Sequence, residues 1–300
     1  MKLRLYFSVA LLLCVLSLCA KNSALLIGIG KYNTRKTGWS VIHGNNDVFL
    51  LQKKLSTLHF TIETLVDKNA TKANIVSAMA RLISKTSVGD VVYIHFSGHG
   101  QLIEDVNNDE QKEFDQSFVC YDACFSTRYK IGRGSYKGQN HLIDDEIFPL
   151  LNKLKLKVGS KGKVIVVFDT CYSAGADKNG KLEFSDSDSE VEWINTTRGT
   201  EYEFQLNQTA KDFLRRIKKP GTYSAKGGRI TIISACESDK RNYECRDKYS
   251  GKCYGSLSYC IAKMIDKHID FSKWFDYFID KKYKTIKIFR PSQHPVIEQH

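Results

Sequence analysis

Apolar residues occur along this chain in short continuous runs that alternate with stretches of helical periodicity. Continuous runs bounded by glycine or polar residues are typical of buried strands, and they predict strands over residues 24–30, 61–66, 91–96, 163–168 and 229–235. Apolar residues at helical spacing predict helices over 47–58, 71–83, 142–154 and 255–267. This alternation predicts an α/β fold with a central, mostly parallel sheet flanked by helices.

Two intervals interrupt the alternation. Residues 101–141 are rich in glycine, asparagine and acidic residues, which predicts a long loop with one extended piece at 117–121. Residues 177–228 contain an acidic tract followed by a basic segment, and the pattern there predicts an exposed insert without a strand. Near the end of the chain, either 286–289 or 295–297 is expected to form an edge strand. Asn45 or Asn46 is expected to cap the helix over 47–58.

The first twenty residues have the pattern of a secretory signal. Met-Lys-Leu-Arg precedes an apolar run from Leu5 to Leu18, and small residues follow at Cys19 and Ala20. We therefore expect residues 1–20 to be removed and the rest to be exported, to the periplasm or the extracellular space. A short membrane anchor is the alternative, and Leu18 argues against a lipoprotein site at Cys19. No later stretch approaches the roughly 18 apolar residues of a membrane span.

Three hundred residues can form one large α/β domain or two small ones, and we expect a single domain over residues 21–300. Hydrophobic residues make up 42% of the chain, which excludes general disorder, and the formal net charge of +12 favours contact with anionic surfaces. Two of the nine cysteines fall in the signal. The odd number left in an oxidising compartment is consistent with one free thiol, which would be Cys171, although the others are equally compatible with buried, unpaired cysteines.

Two glycine-containing segments follow predicted strands and carry the candidate chemistry. They are Ser97-Gly-His-Gly100 and Asp169-Thr-Cys-Tyr-Ser-Ala-Gly175. Because the carboxyl ends of parallel strands meet at one edge of a sheet, His99 and Cys171 are expected to lie together there. A histidine near a thiol raises the thiolate fraction, and the backbone N–H groups of Gly100 and Cys171 are candidate oxyanion donors. Each residue alone is equally consistent with an inert position.

At these residues the chain resembles the caspase and metacaspase family of cysteine peptidases, most closely the bacterial metacaspase-like proteins. The resemblance is carried by residues 24–30 with 45–47, 93–100, 169–175, 232–236 with 254–258, and 293–297. It implies a caspase-like three-layer sandwich, with His99 as base and Cys171 as nucleophile. It also implies a large-subunit-like part over about 24–176, an exposed insert over about 177–228, and a small-subunit-like part over about 229–300.

The resemblance further implies cleavage after arginine or lysine. The family's acidic specificity pocket falls on Asp47, Ser97 and Asp169, and carboxylates are the physical partners of a basic side chain. Helix capping is the alternative role for Asp47. Tyr172 stands where many metacaspases have histidine, and we expect that change to be tolerated because this residue is not the base.

Calcium activates many relatives, and the corresponding carboxylates fall on Asp115, Asp144 and Asp145. The last expected ligand falls on Lys178, with Asp177 only adjacent, which weakens the match. Asp144 and Asp145 are also suited to the first turn of a helix through its dipole.

These features together predict a secreted or periplasmic cysteine endopeptidase, an enzyme that hydrolyses proteins or peptides after a basic residue. We expect it to process itself in the 177–228 insert, with Lys218 and Lys219 disfavoured by Pro220, and to be a monomer that does not bind nucleic acid. The alternative is a catalytically silent caspase-fold binding protein that uses a basic surface such as 281–290. A zinc site from Cys236, Cys245, Cys253 and Cys260 has little support because no Cys-x-x-Cys pair occurs among them.

Overall fold

A computed structural model describes residues 20–105, 114–132, 134–172, 189–200, 202–206, 208, 211–212, 222–237, 240–279 and 287–300. Within them the strands are β1 (Asn22–Gly28), β2 (Thr61–Val66), β3 (Val91–Ser97), β4 (Gly100–Glu104), β5 (Phe114–Val119), β6 (Lys130–Ile131), β7 (Gly134–Ser135), β8 (His141–Ile143), β9 (Lys163–Asp169), β10 (Val191–Thr197), β11 (Arg229–Ser234), β12 (Tyr243–Asp247), β13 (Cys253–Gly255) and β14 (Val296–Gln299). The helices are α1 (Thr34–Thr37), α2 (Gly44–Ser56), α3 (Lys72–Lys85), α4 (Asp144–Val158), α5 (Ser256–Asp266) and α6 (Trp274–Ile279).

The central sheet has six strands in the order β14-β11-β9-β3-β1-β2. Every neighbouring pair is parallel except β11 with β14, which is antiparallel at the edge. The predicted mostly parallel sheet is therefore confirmed, and the edge strand is the second of the two candidate segments. The strands β3 and β9 are direct neighbours, with Ser97 opposite Asp169. This register brings the two glycine-containing segments to the same edge of the sheet.

Helices cover both faces of this sheet, which gives the expected three layers. One hydrophobic core cluster contains Met79 of α3 and Leu151 of α4. The cluster on the other face contains Leu51 of α2 and Ile261 of α5. Since apolar side chains fill both faces, β3 and β9 read as continuous apolar runs in the sequence. No helix in the described part of the chain is both long and apolar enough to cross a bilayer.

Some local predictions hold and others fail. Thr71 caps α3 as predicted, because its side chain accepts a hydrogen bond from the backbone N–H of Asn74. The prediction of an Asn45 or Asn46 cap for α2 is wrong: the helix begins at Gly44 with His43 as its N-cap residue, and no side chain caps it. The described residues of the interval 101–141 are also more regular than predicted, because β4, β5 and β8 form a three-stranded antiparallel sheet.

The largest error concerns the insert, where no strand was predicted. Residues Val191–Thr197 form β10, which pairs antiparallel with β12, and β12 in turn pairs with β13. Val191 is fully buried and belongs to a core cluster, and the side chain of Trp193 packs against that cluster. The first residues of the strand are therefore anchored in the core, and its end lies beside the carboxyl edge of the central sheet.

Candidate active site

His99 lies two residues beyond the end of β3 in an aromatic enclosure. Its ring stacks on Trp39, with centroids 4.9 Å apart, and its backbone N–H donates a hydrogen bond to the Tyr32 hydroxyl at 3.1 Å. The ring atom Nε2 lies 3.0 Å from the backbone oxygen of Ser40. A carbonyl oxygen only accepts hydrogen bonds, so this contact assigns the proton to Nε2 and leaves Nδ1 unprotonated in the neutral ring.

The other ring nitrogen, Nδ1, is buried and has no hydrogen-bond partner among the described residues. Burial lowers the pKa of His99 to about 4, so the ring is neutral at ordinary pH. A general base requires a neutral imidazole with an unprotonated nitrogen that can accept a proton, and His99 has this form. The loop between α1 and α2 thus orients the histidine through the Ser40 carbonyl, a contribution that no residue type in the sequence reveals.

Cys171 lies two residues beyond the end of β9 and is fully buried. Its Sγ donates a hydrogen bond to the Lys240 carbonyl at 3.0 Å. The backbone N–H groups of Cys171 and Gly100 converge on one acceptor, the carbonyl oxygen of Arg198, at 3.3 and 2.9 Å. A Cβ atom at position 100 would lie 2.6 Å from the Cys171 carbonyl oxygen, so this approach requires glycine.

The predicted pocket residues surround the guanidinium of Arg198, which is completely buried. Its Nη2 lies 2.8 Å from Asp47 Oδ2, and its Nη1 lies 3.4 Å from Asp169 Oδ1. Nη1 also donates a hydrogen bond to Ser97 Oγ at 2.7 Å. Asp47 accepts hydrogen bonds from Ser97 Oγ and from the backbone N–H of Gly255, so its side chain contacts the pocket and does not cap α2.

Glu244 on β12 is a third carboxylate of this pocket, and the sequence analysis did not find it. Its Oε1 accepts from both Nε and Nη2 of Arg198, at 3.2 and 2.8 Å. Its Oε2 lies 2.5 Å from Nδ1 of His43. Although burial pushes the pKa of Glu244 up, Arg198 and His43 outweigh it and hold that pKa below its usual value. The hydrogen bond with Glu244 in turn raises the pKa of His43.

The pocket contains more carboxylates than one guanidinium neutralises. Burial raises the pKa of Asp47 to about 7, although Arg198 and the hydrogen bond from Ser97 pull it down. Asp169 is held by polar neighbours, because Oδ2 accepts from the Ser258 backbone N–H and Oδ1 accepts from Asn242 Nδ2, both at 2.7 Å. Such a pocket is complementary to a side chain that is cationic and has several donors.

Arg198 reaches the pocket because it directly follows β10. Its backbone N–H donates to the Asn242 carbonyl at 3.1 Å, which continues the pairing of β10 with β12. The next residue, Gly199, lies against the candidate nucleophile: a Cβ atom there would be 2.9 Å from the Cβ of Cys171. The peptide bond between Arg198 and Gly199 thus lies beside Cys171, with its carbonyl oxygen on the two converging N–H groups.

Comparisons with known proteins show the family to which this chain belongs. The family model for the caspase domain, Peptidase_C14, matches residues 21–299. The chain belongs to the caspase domain family. Metacaspase-1 of Schizosaccharomyces pombe is 31% identical over 166 residues, covering 52% of this chain and 35% of the relative. Metacaspase-5 of Trypanosoma cruzi is 31% identical over 162 residues, covering 50% of this chain and 32% of the relative. The chain thus spans about a third of the length of these relatives.

Among solved structures, protein GSU0716 from Geobacter sulfurreducens superposes with a TM-score of 0.64 at 19% sequence identity, covering 93% of both chains. This likeness supports the caspase fold. In the caspase domain described here, the acidic residues Asp115, Asp144 and Asp145 are also brought together, with one carboxylate oxygen of each within 4.8 Å of the others. Asp177 and Lys178 lie outside the described residues.

Proposed function

We propose that this caspase domain is a cysteine endopeptidase that cleaves after arginine or lysine. One observation carries the proposal. Arg198 lies where we expect P1, the substrate residue that precedes the cleaved bond. Its guanidinium lies among Asp47, Asp169 and Glu244, and its carbonyl oxygen accepts from the backbone N–H groups of Gly100 and Cys171. One segment therefore satisfies the geometry of both the specificity pocket and the oxyanion site.

The chemistry follows from the protonation states. His99 Nδ1 accepts the proton of the Cys171 thiol, and the thiolate attacks the carbonyl carbon of the P1 residue. The negative charge that develops on the carbonyl oxygen is stabilised by the two backbone N–H groups. His99 then gives its proton to the leaving amine, and water hydrolyses the thioester with the same histidine as base. The Ser40 carbonyl keeps Nε2 protonated throughout and stabilises the imidazolium.

Self-processing within 177–228 is part of the proposal, and its site is the Arg198–Gly199 bond. The carbonyl oxygen of this bond already accepts hydrogen bonds from the two candidate oxyanion donors. Proximity of this kind removes a large part of the activation barrier. Lys218 and Lys219 lie outside the described residues. Their position before Pro220 remains the reason that we do not expect cleavage there.

The decisive experiment compares fluorogenic peptides with arginine, lysine or aspartate at P1, under reducing conditions and with or without calcium. We expect turnover of the first two and none of the third. Cys171→Ala should abolish peptide turnover and self-cleavage, whereas Cys253→Ser should preserve both. Mass spectrometry of the incubated protein should find a fragment that ends at Arg198. Absence of all turnover, both by the native protein and by Arg198→Ala, would refute the peptidase, and turnover by an intact chain would refute self-processing alone.

Calcium is proposed as an activator bound by Asp115, Asp144 and Asp145. Three carboxylates within reach of one ion form a donor set that calcium favours, so the residues present fit the ion, with further oxygen ligands needed. Asp144 also lines a cavity of about 230 Å³ together with Tyr172, the residue after the nucleophile. Isothermal titration with calcium should show binding that Asp115→Asn abolishes, while binding that survives this substitution would exclude the cluster.

Export after removal of residues 1–20 completes the proposal. The motivation is the signal pattern in the sequence, and residues 1–19 lie outside the described part of the chain. Amino-terminal sequencing of the protein recovered from the periplasm or medium should begin near Lys21, and retention of the segment in a membrane fraction would favour the anchor instead. Gel filtration of that protein tests the expected monomer.

A further inference from the structure

Arg290 makes a second set of side-chain contacts to the strand that ends at Arg198. Its Nη2 donates to the carbonyl oxygen of Ile194 and to Oδ1 of Asn195, both at 2.9 Å. Its guanidinium lies over the ring of Tyr243, 4.0 Å from the centroid, and only 6% of the residue is exposed. Stacking on an aromatic face fixes the plane and direction of the guanidinium.

The segment around Arg290 lines one side of β10 while β12 pairs along the other. Trp193 Nε1 donates to the Ile288 carbonyl, and the Ser189 hydroxyl donates to the Lys287 carbonyl, both at 2.9 Å. A peptide that takes the place of residues 194–198 and runs in the direction of β10 would thus be bound on both sides. When Arg198 is counted as P1, Asn195 is P4 and Ile194 is P5.

The two contacts of Arg290 differ in what they select. The Ile194 contact is made to a main-chain oxygen, which every peptide offers. The Asn195 contact is made to a side-chain oxygen, so it depends on the residue at P4. A carboxylate would form the same hydrogen bond with added charge attraction, and a lysine or arginine would be repelled.

We propose that Arg290 and Tyr243 form a substrate subsite that selects an acidic or amide side chain at P4, three residues before the basic P1 residue. The inference rests on the proposed function, because it names the peptides that the same site prefers. Substrates would then carry an aspartate, glutamate, asparagine or glutamine, two further residues, and the arginine after which the chain is cut. Because Asn195 is exposed to solvent, the preference should be modest.

The test uses the full-length protein and fluorogenic pentapeptides Ile-X-Thr-Thr-Arg, where X is aspartate, asparagine, alanine or lysine. The tripeptide Thr-Thr-Arg, which lacks P4 and P5, serves as the reference. We expect kcat/KM to fall in the order aspartate, asparagine, alanine, lysine, with about a two- to fivefold difference between aspartate and alanine. Arg290→Gln should remove the difference between aspartate and lysine while leaving turnover of the tripeptide measurable.

Ratios among the four pentapeptides are compared within one enzyme variant, because competition from the internal segment 194–198 lowers their rates by the same factor. Equal rates for all four pentapeptides in the native protein would overturn the subsite, as would a P4 preference that persists in Arg290→Gln. The rates of the four pentapeptides with the native protein decide the question even if Arg290→Gln folds poorly. Failure of the tripeptide as well as the pentapeptides would instead overturn the proposed peptidase activity.

Discussion

The carbonyl oxygen of Arg198 accepts a hydrogen bond from the backbone N–H of Cys171, so the residue buried in the acidic pocket is in direct contact with the candidate nucleophile. Gly100 supplies the second N–H to the same oxygen. An external peptide can use the pocket and these donors only when Arg198 has left them. The segment that carries the proposed cleavage site is therefore also an obstruction.

Arg198→Ala should raise the turnover of external arginine peptides even though it removes the proposed cleavage site. Since β10 is anchored by Val191 in the core and by its pairing with β12, cutting after Arg198 does not by itself expel it. Emptying the pocket does free the site, and we expect roughly a tenfold gain or more, given the high effective concentration of a tethered competitor. Arg81→Ala, on an exposed ion pair with Glu63, is the control. An inactive Arg198→Ala protein would mean that cleavage itself is required.

Glu244→Gln should reduce cleavage after arginine more than cleavage after lysine. One carboxylate oxygen of Glu244 accepts from both Nε and Nη2 of the buried arginine, and lysine has no donor at the position of Nε. Truncating one partner of such a pair costs about 2–5 kcal/mol, which corresponds to a loss of about 30-fold or more in kcat/KM. Steady-state kinetics with matched arginine and lysine peptides measures the ratio. Equal losses for both peptides would contradict this role.

Asp169→Asn should destabilise the fold by about 1–3 kcal/mol, because an amide nitrogen cannot accept a hydrogen bond and one of the buried donors of Ser258 and Asn242 loses its partner. Asp266→Asn is the matched control, since its ion pair with Lys54 is partly exposed and should contribute about 1 kcal/mol or less. Urea unfolding at pH 7, in a Cys171→Ala background that prevents self-cleavage, gives both values. Similar losses for the two variants would refute the prediction.

Stability should fall as the pH is lowered from 6.5 towards 4. Burial lowers the pKa of His95 and His99 to about 4 and that of His141 to about 3, whereas in the unfolded chain they titrate near 6.5. In this window the unfolded state binds more protons, so each histidine removes up to about 1.4 kcal/mol of unfolding free energy per pH unit. Burial raises the pKa of Asp47 to about 7, so this residue gains a proton in the folded state over the same window. Its contribution to stability has the opposite sign and offsets that of about one of the three histidines.

Urea unfolding of Cys171→Ala at pH 7, 6 and 5 checks this slope. His95→Gln should make the dependence shallower, because its contribution is removed while His99 and His141 remain. An unfolding free energy that stays constant or rises as the pH falls would contradict the assignment of neutral buried histidines.

The sequence was most informative where packing is regular. The apolar runs that end at Ser97 and Asp169 are buried on both faces, so pattern alone located β3 and β9 and placed His99 and Cys171 at one sheet edge. Pattern was uninformative for β10, because its sequence, Val-Glu-Trp-Ile-Asn-Thr-Thr, has no regular alternation and its place depends on β12 and on residues 287–290. Arg198 and Glu244 were missed for the same reason: each becomes a pocket residue only through contacts distant in sequence. Ser40 was missed because it contributes a backbone carbonyl, which every residue has.

The contact between Gly199 and Cys171 also predicts the kinetic order of the proposed self-processing. Nucleophile and target bond belong to one chain and are already adjacent, so breakage should be first order, with a half-time that does not change when the protein is diluted. Cutting between separate copies would instead slow in proportion to dilution. A protein arranged in this way sets its own rate of maturation through its fold, independently of how much of it has been made.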